Sequence, residues 1–166
     1  MANHQILVIS DSHGDTSTIR KLLDHYNGKL ATVVHLGDMA RDLLQFEAKY
    51  PALTMVAVAG NSDFVVSLPK QKVLTLGVPI SKRVLLMHGH THNVNFNINR
   101  LMYYAAEQQV DACLFGHTHI SAMFSHGSVF FMNPGSLSQP RGESKASYGI
   151  LTIDTIGNIT GDIIRV

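Results

Sequence analysis

Three short, mainly apolar runs constrain this chain more than any other feature: Ile6 to Ile9, Ala31 to Leu36 and Leu53 to Val58. Each is short enough for a strand, and such runs are expected of strands covered on both faces. Each also stops at a polar or glycine-bearing segment: Ser10-Asp11, Gly37-Asp38 and Gly60-Asn61. Between the first two, Ile19, Leu22, Leu23 and Tyr26 recur at helical spacing ahead of Gly28, a natural helix stop. Between the second and third, Leu43, Leu44, Phe46 and Tyr50 mark another helix, closed by Pro51. The order is β-α-β-α-β, which calls for parallel strands joined by right-handed crossovers.

The second half reads differently. Lys70 to Leu76 and Ile80 to Met87 form consecutive strand patterns around Gly77-Val78-Pro79. One helical segment follows over Val94 to Gln109, with Ile98, Leu101, Met102, Ala105 and Ala106 on one face. Short strands are then expected at Ala112 to Phe115, Ala122 to Ser125, Val129 to Met132, Tyr148 to Ile153 and Ile159 to Arg165, with Gly127 and Gly157-Asn158 as turns. A parallel start and a mostly antiparallel finish predict an α/β chain of two sheets packed face to face with helices outside. No internal repeat or linker breaks the 166 residues, so residues 1–166 read as a single domain.

Composition closes off several function classes. Hydrophobic residues make up 45% and charged residues 15%, which excludes a disordered chain. Lys plus Arg total 13 against 12 Asp plus Glu, and the densest basic spots are only Lys70 to Lys72 and Lys82-Arg83. Without a basic stripe, extended nucleic-acid binding is not expected, although a nucleotide-sized substrate needs only local charge. Cys113 is the sole cysteine and lies in an apolar run, so it reads as a buried, inert thiol, with no internal disulfide and a reducing compartment implied. Met1 to Ser10 lacks the pattern of a secretory signal, and no apolar stretch reaches the ~20 residues needed to span a bilayer. These readings place the chain in the cytoplasm, away from membranes.

The polar residues after the strands carry the chemistry. Asp11 and His13 follow the first strand in Asp11-Ser12-His13-Gly14; Asp38 follows the second; Asn61 follows the third in Gly60-Asn61-Ser62-Asp63. His88 follows the strand ending at Met87, in His88-Gly89-His90, and His117 and His119 follow Phe115 in Gly116-His117-Thr118-His119. Ten histidines is a high count for this length, and five of them fall in these motifs. Taken singly, each motif is an ordinary turn or helix cap. All five in order, each at a strand end, point to one cleft, because the carboxyl ends of parallel strands share an edge where open α/β folds place ligands. Imidazole, carboxylate and amide oxygen together suit manganese, iron, zinc or nickel.

This ordered set of motifs resembles the calcineurin-like metallophosphoesterases, and within them the short bacterial and archaeal phosphodiesterase branch, from Ile6 through the Asn133-Pro134-Gly135-Ser136 turn. The resemblance implies a four-layer α-β-β-α sandwich of two mixed sheets and a centre of two divalent metal ions, with manganese the first choice. It implies that Asp11, His13 and His119 hold one ion, that Asn61, His88 and His117 hold the other, and that Asp38 bridges them. Such a pair clamps the attacking and leaving oxygens of a phosphoryl transfer and lowers the pKa of a bridging water to roughly 7. Asp63 is then expected to orient a histidine through its second ring nitrogen.

The chain departs from larger family members in carrying Ser62 where many have a histidine after Gly-Asn. The leaving-group proton must then come from water, His90 or His92, which favours a small phosphodiester, nucleotide derivatives included, with an acidic leaving group. Asp38, Asn61 and His90 are the expected catalytic residues. A phosphomonoesterase using the same metals is the alternative enzyme, and a protein-binding scaffold is the alternative class, since a eukaryotic retromer subunit shares the family fold. Arg141 is a further candidate for a substrate phosphate, and Met102, Tyr103 and Phe130 are candidates for a homo-oligomer contact. His4, His25, His35 and His126 carry no motif and read as surface or satisfied core histidines.

Overall fold

A computed structural model describes residues 3–64 and 67–166. The first sheet contains β1 (His4–Ile9), β2 (Thr32–His35), β3 (Thr54–Ala57), β9 (Ser147–Ile153) and β10 (Ile159–Arg165), in the order β10-β9-β1-β2-β3. The second contains β4 (Gln71–Leu76), β5 (Lys82–Met87), β6 (Ala112–Leu114), β7 (Ala122–His126) and β8 (Val129–Asn133), in the order β4-β5-β6-β8-β7. Among the described residues are also helices α1 (Thr16–Tyr26), α2 (Arg41–Leu44) and α3 (Asn99–Glu107) and a 3₁₀ turn at His90–His92.

The two-residue period of a strand explains the layering. Ile6 and Val8 of β1 face the second sheet and pack with Val84, Leu86, Leu114 and Met132. Leu7 and Ile9 face the other way, onto Ile19, Leu22 and Leu23 of α1 and Leu43 of α2. On the far side, Leu85, Met87, Cys113 and Phe131 meet Leu101 and Ala105 of α3. Three apolar layers thus separate helix, sheet, sheet and helix, the α-β-β-α sandwich expected. Burial pushes the Cys113 thiol pKa up, which keeps it the inert protonated thiol the sequence suggested.

The second half is mostly antiparallel, as expected: β4–β5, β7–β8, β9–β10 and β9–β1 pair antiparallel. Two sequence expectations change and one is refined, for within that half β5, β6 and β8 run parallel to one another, as β1, β2 and β3 do. Helix α3, which joins β5 to β6, makes that parallel pairing reachable, while tight turns leave β4 and β7 antiparallel at the edges. The second helix is one turn, Arg41–Leu44, followed by further turns, and α3 starts only at Asn99. Asn93 sits in the left-handed region (φ 54°) and the Asn97 side chain accepts the Asn99 N–H at 2.8 Å, so asparagines use the segment for turns before the helix can begin. Finally, Met102 and Phe130 pack partly buried against the core, because their helix and strand turn those positions inward, and only Tyr103 of the proposed contact residues is exposed. Among the described residues, no helix is long and apolar enough to cross a membrane.

Candidate metal centre

The carboxyl ends of β1, β2 and β3 in one sheet face those of β5 and β6 in the other, and five loops meet there. The cleft therefore lies between two sheets, not along the edge of one, because both sheets contribute parallel strands. Eight non-glycine residues among those described have φ above zero, and five are Asp11 (52°), His13 (44°), Asp38 (60°), His117 (70°) and His119 (60°). Such conformations are uncommon and cost of order 1–3 kcal/mol each, so their concentration marks loops held under constraint. Two glycines let the loops approach so closely. A Cβ on Gly60 would collide with the Asp38 backbone nitrogen and carboxylate, and one on Gly116 would collide with the Ser10 hydroxyl and the Asp11 carboxylate.

All seven expected ligand residues reach this junction and sort into two groups. In the first, His119 Nε2 lies 3.2 Å from Asp11 Oδ1 and 3.3 Å from His13 Nε2, and His13 Nε2 lies 3.8 Å from Asp38 Oδ2. One ligand atom from each of these four residues falls within 4.8 Å of all the others. In the second, His88 Nε2 lies 3.1 Å from Asn61 Oδ1, 3.2 Å from His117 Nδ1 and 3.4 Å from Asp38 Oδ1. Atoms bound to one cation at about 2.0–2.2 Å sit roughly 3.0–3.5 Å apart, so these spacings match ligands around a common centre. Asp38 belongs to both groups, one oxygen to each.

Hydrogen bonds behind the rings decide which atoms face inward. His88 Nδ1 donates to the Leu36 carbonyl at 2.8 Å and His119 Nδ1 donates to the Gln139 carbonyl at 2.6 Å, which leaves each Nε2 as the inward lone pair. Asp11 Oδ1 is buried without a hydrogen-bond partner, although Oδ2 accepts from Ser10 Oγ at 2.5 Å and the His117 N–H at 3.1 Å. A buried carboxylate oxygen facing imidazole lone pairs calls for a cation between them. The charges agree. Burial would raise the Asp38 carboxyl, but the adjacent His88 imidazole holds it well below the usual range; Asp11 is lowered against burial by His119 and His88. Burial pushes His88 down, yet Asp38 and Asp11 carry it above its ordinary value, and the adjacent Asp11 carboxylate does the same for His119.

Residues 5–156 match the model of the calcineurin-like phosphoesterase superfamily domain. The chain belongs to that superfamily. It is 33% identical to the probable metallophosphoesterase YsnB of Bacillus subtilis over 150 residues, covering 90% of this chain and 84% of YsnB. It is 31% identical to the phosphodiesterase YfcE of Escherichia coli K12 over 179 residues, covering 93% of this chain and 91% of YfcE. Among solved structures, a predicted phosphoesterase from Streptococcus pneumoniae TIGR4 superposes with a TM-score of 0.84 at 35% identity, covering 99% of this chain and 91% of that one. A calcineurin-like metallophosphoesterase uses divalent metal ions, and the Asp11, His13, Asp38 and His119 cluster offers them a place.

Around the superfamily cluster, other residues fall into supporting positions. The His90 ring sits 5.3 Å from His88 and 6.1 Å from His117, its Nδ1 buried and unpartnered, and burial, then the charge of His88, hold its pKa below the ordinary value. His92 turns away and packs against the Tyr104 ring at 4.7 Å. Asp63 does not orient a histidine as the resemblance suggested: its carboxylate accepts the N–H groups of Asp38, Ala40 and Gly60. Those loop amides have no strand partner, so the carboxylate satisfies them instead. Asn133 and Ser136 support the floor, bonding the Gly116 and Asp11 carbonyls at 3.0 and 2.7 Å. Arg141 is exposed, with its N–H on the His119 carbonyl at 3.0 Å. His35 is a satisfied core histidine, while Asp42, buried on α2, was missed; its only signal was a carboxylate four residues after Asp38.

Proposed function

We infer that the protein is a phosphodiesterase whose active centre holds two divalent metal ions, manganese being the first candidate and zinc, iron and nickel fitting the same donors. The observation that carries this reading is Asp38, whose two carboxylate oxygens face two separate donor groups. When bound, two such ions stabilise phosphoryl oxygens as Lewis acids and lower the pKa of a shared water. The residues to hold them are Asp11, His13 and His119 on one side and Asn61, His88 and His117 on the other, with Asp38 common to both. Asn61 is exposed at the mouth and also positioned to contact a substrate oxygen.

Ser62 lends its backbone N–H to Asp38 Oδ1 at 2.9 Å, so it orients that carboxylate. His90 is the nearest imidazole outside the two donor groups, and we assign to it the proton delivered to the leaving ester oxygen. One imidazole at the edge, with no histidine at position 62, favours small diesters with acidic leaving groups, nucleotide derivatives included. The lone, buried Cys113, which can form no internal disulfide, accords with work in the cytoplasm.

The test is hydrolysis of bis-p-nitrophenyl phosphate by chelator-stripped protein, with and without manganese, beside Asp38→Asn. Metal-dependent turnover that disappears in the variant is expected. A folded protein that stays inactive with every divalent metal tried would sink the enzyme reading in favour of a scaffold.

A further inference from the structure

A buried hydrogen-bond chain runs behind the first donor group. Ser12 and His35 are fully buried and Asp42 is 6% exposed. The Gly37 N–H donates to His35 Nδ1 at 3.1 Å, so Nδ1 is an acceptor and the ring proton sits on Nε2. His35 Nε2 then donates to Ser12 Oγ at 2.9 Å, which leaves the Ser12 hydroxyl hydrogen for Asp42 Oδ2 at 2.7 Å. The same Asp42 oxygen accepts the Gly14 N–H at 2.7 Å. The Met39 carbonyl, 3.4 Å from Ser12 Oγ, is the more distant acceptor, so the shorter bonds give the chain one direction.

These three residue types also make hydrolytic triads, but the order here is wrong for one. In a nucleophilic triad the histidine stands between serine and carboxylate and accepts the hydroxyl proton. Here the serine stands in the middle, receives a proton from His35 and gives its own to Asp42, and none of the three is open to a substrate. The chain instead ends on the residues immediately before and after His13, whose φ of 44° needs outside support. Asp42 belongs to α2, directly after the loop that carries Asp38, so one carboxylate ties the β1 loop to the β2 loop.

We propose that Ser12, His35 and Asp42 are positioning residues: their buried chain clamps the backbone on both sides of His13 and sets the affinity of the metal position formed by Asp11, His13 and His119. The metal arm of this proposal rests on the two-ion reading above; the clamp itself does not.

The experiment combines manganese titration with amide exchange on metal-stripped protein. Wild type, Ser12→Ala, Asp42→Ala and Asp42→Asn are compared by electron paramagnetic resonance and by NMR. Ser12→Ala and Asp42→Ala are expected to weaken one of two manganese ions about 10- to 100-fold while the other changes less than about twofold. Asp42→Asn keeps an oxygen able to accept both bonds and restores affinity to within about threefold of wild type. In the metal-free protein, the amides of residues 12–15 exchange faster in both alanine variants than in wild type. Equal weakening of both ions, or unchanged binding with unchanged exchange, overturns the proposal. If Asp42→Ala fails to fold, Ser12→Ala carries the same comparison. Should wild type bind fewer than two ions, the two-ion reading fails, and the exchange of residues 12–15 alone decides the clamp.

Discussion

The two donor groups are built on different principles. The Asp11, His13 and His119 side stands on left-handed backbone at every one of its own residues and carries a buried carboxylate with an orphaned oxygen. The Asn61, His88 and His117 side has no carboxylate apart from the shared Asp38, and its central ring, His88, is fully buried and fixed by the Leu36 carbonyl. One side draws a cation by charge and needs its loop clamped; the other offers a rigid imidazole and a neutral amide. On the two-ion reading proposed above, the two positions would not be equivalent, and the charged one should fill first.

Removing the residue both sides share breaks the comparison most severely. Asp38→Asn is expected to lower kcat/KM for a diester by about 10³-fold, since it weakens both sides at once. Steady-state rates with saturating manganese read this directly.

The next effect concerns the support of the charged side. Burial drops the His35 pKa from 6.5 to about 4, so the unfolded chain takes up this proton first as pH falls. Stability from His35 is therefore complete above pH 6.5, declines through the window down to about 4, and levels off below it. The total is about 3 kcal/mol. His88 and His119 act in the opposite sense: their raised values contribute below pH 6.5 and are lost as pH rises through the folded values. Denaturant midpoints of the metal-stripped protein against pH, with and without His35→Gln, separate these contributions; the acid-side loss should shrink in the variant.

Asymmetry of charge gives a sharper measurement. Asp11→Asn should weaken binding of the first manganese ion by about 100-fold, whereas Asn61→Ala should cost about tenfold at the other position. Isothermal titration distinguishes the two, and equal losses would mean the sides are not electrically distinct. The smallest effect contrasts two glycines of the same region. Gly116→Ala forces a Cβ onto Ser10 and Asp11 and should destabilise by about 1–3 kcal/mol. Gly14→Ala meets nothing within 4 Å and pays only for its φ of +93°, about 1 kcal/mol. Thermal melts rank them.

Much of this was legible before any coordinates. Asp11, Asp38, Asn61, His88 and His117 each follow an apolar run, and a strand end is a local feature that periodicity and glycine reveal. The layer order was legible too, since Ile6 and Val8 alternate with Leu7 and Ile9. What escaped were roles set across distance. Asp63 looked like a partner for a ring and proved to be the acceptor for three loop amides. Asp42 drew no notice in the sequence and lies buried against Ser12 and Gly14. Met102 and Phe130 looked available for self-association and are turned toward the core.

By itself the sequence determined the strands, the places where they end and the chemistry offered at each end, because side-chain period and turn propensity act over only a few residues. Tertiary structure alone decided that β5, β6 and β8 run parallel, that the cleft opens between two sheets, and that both oxygens of Asp38 reach different partners. Those outcomes depend on loops separated by 25 to more than 100 residues meeting within hydrogen-bond distance, as Asp38 meets Asp63 and Asp11 meets His117. Only packing two sheets against one another brings them there, and no short-range pattern encodes that contact.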